Sequence, residues 1–167
     1  RSAKIVVGLG YGDEGKGTTI DWLTRHHGAK TVVRFNGGAQ AAHHVVLPDG
    51  RHHCFAQFGS GTFSGARTHL SRFMLVNPIF ALAEARALER VGIMSPLSWL
   101  TVEDDALVTT PFHVAMNRLR ELARGDQRHG SCGMGIGETV SDSLAGGEGL
   151  IRVRDLRDPP RLRKKLA

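Results

Sequence analysis

KIVVGLGYGDEGKGTTIDWLTRHHGAKTVVRF, residues 4–35, decides the fold. Its opening, KIVVGL (4–9), is a short β-branched run bounded by glycine and predicts a buried strand. KGTTIDWLTRHHG (16–28) follows, with Ile20 and Leu23 at helical spacing and Gly28 as a C-terminal stop. KTVVRF (30–35) predicts a second strand. Strand, glycine loop, helix, strand is the βαβ unit of a parallel sheet, with a right-handed crossover.

Beyond this unit, HHVVLPDGRHHCFAQF (43–58) reads as two extended segments around Pro48-Asp49-Gly50, a β-hairpin. SRFMLV (71–76) predicts a strand, and Pro78 opens a helix that Gly92 ends. LSWLTV (97–102) predicts a further strand and PFHVAMNRLRELARG (111–125) a helix. A second glycine-rich loop, GSCGMGIG (130–137), introduces the polar stretch 138–148, and PPRLRKKLA (159–167) closes the sequence as a helix. There is no internal repeat and no linker, so residues 1–167 are expected to form one domain. The expected class is α/β: a mostly parallel central sheet with flanking helices and a β-hairpin. A P-loop-like phosphate-binding loop should follow the first strand.

The 167 residues suffice for a hydrophobic core, and 41% hydrophobic with 23% charged residues is the balance of a soluble globular protein. No apolar run approaches the ~20 residues of a membrane span. The start RSAKIVVGL lacks a signal-peptide cleavage pattern, which points to the cytoplasm. Cys54 and Cys132 are far apart, without the spacing of a disulfide framework or a C-x-x-C motif. A net charge of +6 and a pI of about 10.0 permit polyanionic partners. Yet the densest basic run, 152–167, has no interleaved aromatic residues and reads as a solvated helix face.

Gly10 to Lys16 fit G-x-x-x-x-G-K-[ST] up to the lysine, but Gly17 stands where a metal-binding hydroxyl belongs. The physics still favours phosphate. A loop between strand and helix presents unpaired N–H groups and the positive end of the helix dipole. Gly12, Gly15 and Gly17 allow close backbone approach, and Lys16 supplies a point charge. Asp13 would repel a bare phosphate, so it suits a Mg²⁺ ligand or a general base. The plainer alternative is that Asp13 and Glu14 only favour the helix N-terminus. The second cluster, RFNGGAQAAHH (34–44), follows a strand whose carboxyl end should lie beside the loop. His43 and His44 are adjacent, so in an extended chain only one of them faces the phosphates. His26-His27 and His52-His53 read as surface or packing residues.

Together these residues resemble the adenylosuccinate synthetase family. YGDEGKG (11–17) matches its signature loop with Tyr11 for tryptophan, and TTIDWL its first helix. TVVRFNGGAQAAHHVV (31–46) resembles its second site segment, GSCGMGIG (130–137) its monophosphate loop and LIRVRDL (150–156) its next strand. The resemblance covers essentially the whole chain but only the amino-terminal portion of the family. It implies GTP-dependent ligation of aspartate to a 6-oxopurine nucleotide, IMP or a related purine monophosphate, through a 6-phosphoryl intermediate in purine biosynthesis. It implies Asp13 as catalytic base and Mg²⁺ ligand, His43 as the residue stabilising phosphoryl transfer, and the Ala42 carbonyl as a second metal ligand. Gly12, Asp13, Glu14, Gly15, Lys16, Gly17, Thr18, Ala42, His43 and His44 would bind GTP. Asp13, Glu14, Gly15, Lys16, Gln40, Ala41, Ala42, His43 and Cys132 would bind the purine monophosphate.

This sequence also departs from the family pattern. Thr18 replaces a lysine, Gln40 an asparagine, Ala42 a glycine, His44 a threonine, Cys132 a threonine and Met134 an arginine. The arginine that a partner subunit lends to the monophosphate site is missing from LAGGEG (144–149). The family's guanine-recognition and aspartate-binding segments lie beyond the equivalent of residue 167. A homodimer or a complementary carboxyl-terminal chain is the expected partner. The competing readings are a non-catalytic or split nucleotide-binding paralogue and, well behind, a basic nucleic-acid-binding module.

Overall fold

A computed structural model describes residues 2–10, 12–147 and 149–167. Helix α1 (Lys16–His27) leads to strand β1 (Thr31–Gly37), then to the hairpin of β2 (His43–Val46) and β3 (His52–Phe55). Strand β4 (Arg67–Val76) is followed by α2 (Pro78–Arg90), β5 (Leu100–Val102) and β6 (Leu107–Val108). Helices α3 (Pro111–Ala123), α4 (Ile136–Ala145) and α5 (Pro159–Leu166) complete the order. β4 is the hub of the sheet: β1 pairs with it in parallel, and β5 and β6 pair in parallel with its first and last parts. The mostly parallel sheet, the flanking helices and the hairpin are therefore present as the sequence led us to expect.

Local chemistry explains the elements. Asn77 caps α2 by accepting the Phe80 amide at 3.2 Å, and Pro78 takes the first helical position, where its missing N–H costs nothing. Beyond Val91, Gly92 adopts φ 92° and turns the chain so that the Ile93 amide reaches the Leu88 carbonyl at 3.0 Å. β1 and β4 change register between Arg34 and Asn36, and there the Ser71 hydroxyl donates to the Phe35 carbonyl and accepts the Phe73 amide. One hydrophobic cluster joins Leu70, Met74 and Val76 of β4 to Val108, Ile151 and Val153. The other packs Val45, Phe55 and Phe58 of the hairpin region on Ala85 and Leu88 of α2.

Several expectations need correction. Residues 4–9 form no strand: Ile5 is 86% exposed and Leu9 95%, because the described chain provides no strand beside them to complete a ladder. The parallel βαβ unit lies later in the chain, as β4, α2 and β5. Within 97–102, residues 96–99 make a 3₁₀ turn and only Leu100–Val102 form a strand. The polar stretch 138–148 lies largely in α4. The expected strand at 150–156 reduces to one antiparallel bridge, Leu107 with Arg152, followed by a 3₁₀ turn from Val153 to Arg157. α5 is a helix as expected, and its basic residues are partly spoken for: Arg161 and Lys165 both pair with the buried Asp155, at 2.9 and 2.8 Å.

The interior is tied by one polar junction. Glu84, on the inner face of α2, accepts the amides of Ala56 and Gln57 at 2.9 and 2.7 Å and that of Phe58 at 3.3 Å. Arg34 of β1 donates to the carbonyls of Ala56 and Phe58 at 2.7 and 3.3 Å. Glu84→Ala should lower stability by about 3 kcal/mol, because it orphans the buried amides of Gln57 and Phe58 and the part-buried amide of Ala56. Urea unfolding of the two proteins measures this, and a change below about 1 kcal/mol would contradict it.

Candidate functional site

Residues 12–18 carry the chain into α1. Gly12 (φ 111°) and Gly15 (φ 65°), which caps the helix, take left-handed backbone, and so does Asp13 between them (φ 52°). A residue with a Cβ holds that conformation at a cost, and Asp13 keeps its carboxylate exposed there. Gly17 is buried against the hairpin. A Cβ on it would lie 2.9 Å from the His43 backbone and from the His44 carbonyl, so only glycine lets α1 approach so closely. The Thr18 hydroxyl donates to the same His44 carbonyl at 3.4 Å. The glycine loop and the histidine pair, 26 residues apart in sequence, are thus brought together.

Glu14 turns back into the loop. Its Oε1 accepts the Leu9 and Gly10 amides at 2.7 and 2.6 Å, and its Oε2 pairs with Lys16. The Lys16 hydrogen bond, followed by that of the Gly10 amide, holds the Glu14 carboxyl below its ordinary value. The carboxylate sits where two adjacent amides and an ammonium converge, an arrangement that suits a phosphate oxygen. The second glycine loop repeats it: Glu121 accepts the Gly130 and Ser131 amides at 3.1 and 3.3 Å and pairs with Arg124.

His43 lies half-buried at the start of β2, while His44 is exposed, as alternation along a strand requires. Burial pushes the His43 imidazole down to about 4, and the positive charges of Arg34 and Lys16 push the same way against Glu84. It is therefore neutral near pH 7, and its Nδ1 is buried without a hydrogen-bond partner among the described residues. Arg34 and Glu84, whose charges act on His43 alongside its burial, were not singled out from the sequence. Their signal was a charged residue at an inward position: Arg34 shares the inward side of β1 with Val32, and Glu84 the inner face of α2 with Ala81, Ala85 and Leu88.

The segment between β1 and β2 closes the site. Gly38 is packed so tightly that a Cβ would lie 3.1 Å from the Leu75 carbonyl and closer still to Ile136, the first residue of α4. This places Gln40, Ala41 and Ala42 between the first loop and the helix that follows the second. Ala42 avoids the left-handed region, so alanine in place of glycine carries no backbone strain there. Cys132 is exposed. Its loop is held on α3 by Asn117, which accepts the Gly135 amide at 3.3 Å, and by Arg118, which donates to the Gly133 carbonyl at 3.3 Å.

The donor set for a cation is modest. Among the described residues no three His, Cys, Asp or Glu side chains gather as a metal cluster. Asp13 and the Ala42 carbonyl are both oxygen donors, which suit a hard ion such as Mg²⁺ that keeps waters and arrives with phosphates.

Fold and site define an α/β protein with two glycine-rich loops at helix N-termini, the first packed on a neutral histidine. The sequence pattern of the adenylosuccinate synthetase family matches residues 5–167. The chain is 37% identical over 166 residues to the adenylosuccinate synthetase of Methylibium petroleiphilum, covering 97% of this chain and 36% of that protein. It is 36% identical over 163 residues to the enzyme of Myxococcus xanthus, again 36% of that protein. The fold superimposes on the fully ligated adenylosuccinate synthetase of Plasmodium falciparum with a TM-score of 0.79 and 24% identity, covering 93% of this chain and 35% of that one. It also resembles the succinoaminodeoxyadenylate synthetase of cyanophage S-2L bound to dGMP and dATP as an energy donor. That match has a TM-score of 0.69 and 23% identity, with 90% and 41% covered. This chain belongs to the adenylosuccinate synthetase family. It spans about 36% of the length of the curated relatives it matches.

Two outcomes test this geometry. Because folding lowers the His43 pKa from 6.5 to about 4, the unfolded chain binds the extra proton first. The stability contributed by this site should be intact above pH 6.5 and fall as the pH drops toward 4. His43→Gln should flatten that part of the slope, and identical pH profiles for the two proteins would contradict it. Glu14→Gln should tighten binding of pyrophosphate several-fold by calorimetry, since it removes the charge that competes for Lys16 and the amides. Weaker or unchanged binding would count against competition.

Proposed function

We propose that this chain carries the amino-terminal, phosphoryl-transferring part of a ligase that joins aspartate to a 6-oxopurine nucleotide at the expense of GTP, in purine nucleotide biosynthesis in the cytoplasm. The observation that carries this reading is the packing of Gly17 on His43, which sets the helix N-terminus and Lys16 beside a neutral imidazole. In this reading the amides of 12–18 and Lys16 hold the triphosphate. Asp13 takes the N1 proton of the purine so that its 6-oxygen can attack the γ-phosphate. His43, neutral before the reaction, donates a hydrogen bond to the transferring group as charge develops on it. The Glu14 amide rather than its carboxylate, with Thr18, Ala42 and His44, completes the triphosphate side, and Gln40, Ala41 and Cys132 the monophosphate side. Asp13 and the Ala42 carbonyl would hold Mg²⁺, which supplies charge neutralisation for the phosphates. Aspartate then displaces the 6-phosphoryl group.

Residues 1–167 act as one domain, and the rest of the machinery comes from a complementary carboxyl-terminal part or a second subunit. Ile5, Val7 and Leu9 are 86%, 67% and 95% exposed, and Val33 is 57% exposed on a sheet whose parallel strands ordinarily have both faces covered. That uncovered apolar surface suits such a part. A second reading, a split or non-catalytic nucleotide-binding paralogue, is favoured by the changed monophosphate contacts Gln40, Cys132 and Met134. Because the cyanophage protein is bound to dGMP with dATP as an energy donor, a guanine monophosphate acceptor and an adenine donor are also to be tried with this chain.

Mg²⁺ with GTP at a hundred times its dissociation constant should stabilise this chain by about 2.7 kcal/mol in a thermal melt. Lys16→Ala should remove most of that shift. Asp13→Asn should keep triphosphate binding and abolish turnover in the assembled enzyme. Persistent turnover would exclude Asp13 as the base, and an unchanged shift in Lys16→Ala would exclude the loop as the phosphate site.

A further inference from the structure

A cleft of about 770 Å³ opens where the carboxyl end of β1 meets β4, β6 and α4, and three arginines line it: Arg72, Arg152 and Arg154. Among the described lining residues Asp105 is the only acid, so these residues carry two more positive charges than negative. Asp105 is already engaged, pairing with Arg154 through its carboxylate and accepting from Arg152 through its carbonyl at 2.5 Å. Among the described residues neither Arg72 nor Arg152 has a carboxylate partner. Arg72 instead stands over the Phe73 ring, 5.0 Å from its centroid, and Phe73 is 52% exposed. Ser143 of α4 adds a hydroxyl to the wall.

Guanidinium groups are weakly hydrated, planar forks that match phosphate oxygens in pairs. Two of them lining one cleft without acidic partners among the described residues, beside an exposed aromatic ring, have the chemistry of an anion site rather than of a solvated face. A cleft of this size also falls within the ~300–1,000 Å³ of small-molecule sites. None of its three arginines belongs to the loops described above. We propose that this cleft binds a phosphate-bearing small molecule, with Arg72 and Arg152 gripping the phosphate and the exposed edge of the Phe73 ring, whose centroid lies 5.0 Å from that of Phe35, meeting an attached ring. The proposal does not rest on the ligase reading.

The test uses this chain with Lys16→Ala, which weakens the first loop, and titrates inorganic phosphate, a purine nucleoside monophosphate and the parent nucleoside by calorimetry at constant ionic strength. The monophosphate should bind, the nucleoside should not, and inorganic phosphate should bind more weakly if the Phe73 edge contributes. Adding Arg72→Gln or Arg152→Gln should each cost about tenfold or more in affinity, the loss expected for a charge-assisted hydrogen bond. Both substitutions lie outside the hydrophobic core, and unchanged near-ultraviolet circular dichroism would confirm the fold. As an independent readout, the Nε–H signals of Arg72 and Arg152 should shift during the titration. Monophosphate affinity indifferent to both substitutions, or absent altogether with those signals unmoved, would overturn the site. Equal binding of inorganic phosphate and the monophosphate would keep the anion grip and remove the role of Phe73.

Discussion

The carboxylate of Glu84, bonded to three consecutive amides at 56–58, is the contact on which the rest of the architecture turns. Among the described residues the segment leaving the hairpin has no strand beside it, yet it runs through the interior, where Gln57 and Phe58 are fully buried. Its backbone must therefore find partners in side chains. Glu84 serves the donors and Arg34 the acceptors, while Gln57 ties in Asn77 by donating to its carbonyl and accepting its amide. One junction thus fixes β1, the hairpin exit and the start of α2. Burial is the main cause that keeps His43 neutral, and the charges of Arg34 and Glu84 act on it in opposite directions, so the junction that organises the core also reaches a residue at the loop.

Much of the architecture could be read from residues 30–92, where short-range chemistry and tertiary structure agree. Pro48-Asp49-Gly50 turns the hairpin, Pro78 begins α2 and Gly92 ends it, because each demand is met within a few residues. The reading failed where the state of a segment depends on distant partners. Residues 4–9 have the composition of a strand but no neighbour in the described chain, and Leu107–Val108 becomes a strand only because the end of β4 lies alongside. The site divides in the same way. Glycines, lysine and histidine announced themselves as a motif, whereas Arg34 and Glu84 looked like ordinary charges until the fold buried them.

In both glycine loops the converging amides are paired by a carboxylate of the same chain. A group of converging amides is unfavourable to leave unpaired, and a carboxylate from the same chain is the nearest anion. Glu14 serves the first loop and Glu121 the second, each with a basic side chain alongside to balance its charge. Asp13, held in a left-handed conformation between two glycines, remains outside this exchange with its carboxylate exposed. The sequence therefore separates two acids that look equivalent side by side: one completes the cradle and the other is left available.

The uncovered apolar ribbon at 4–9 carries a cost that concerns the life of the chain rather than its chemistry. Ile5, Val7 and Leu9 are exposed at alternate positions of a segment that contains no proline, and apolar segments of this pattern readily recruit strands from neighbouring copies. Lys4 is the only charge among residues 4–9, so electrostatic gatekeeping is slight. At high concentration the ribbon is where self-association into aggregates would begin, and whatever shields it sets the colloidal solubility of the whole molecule.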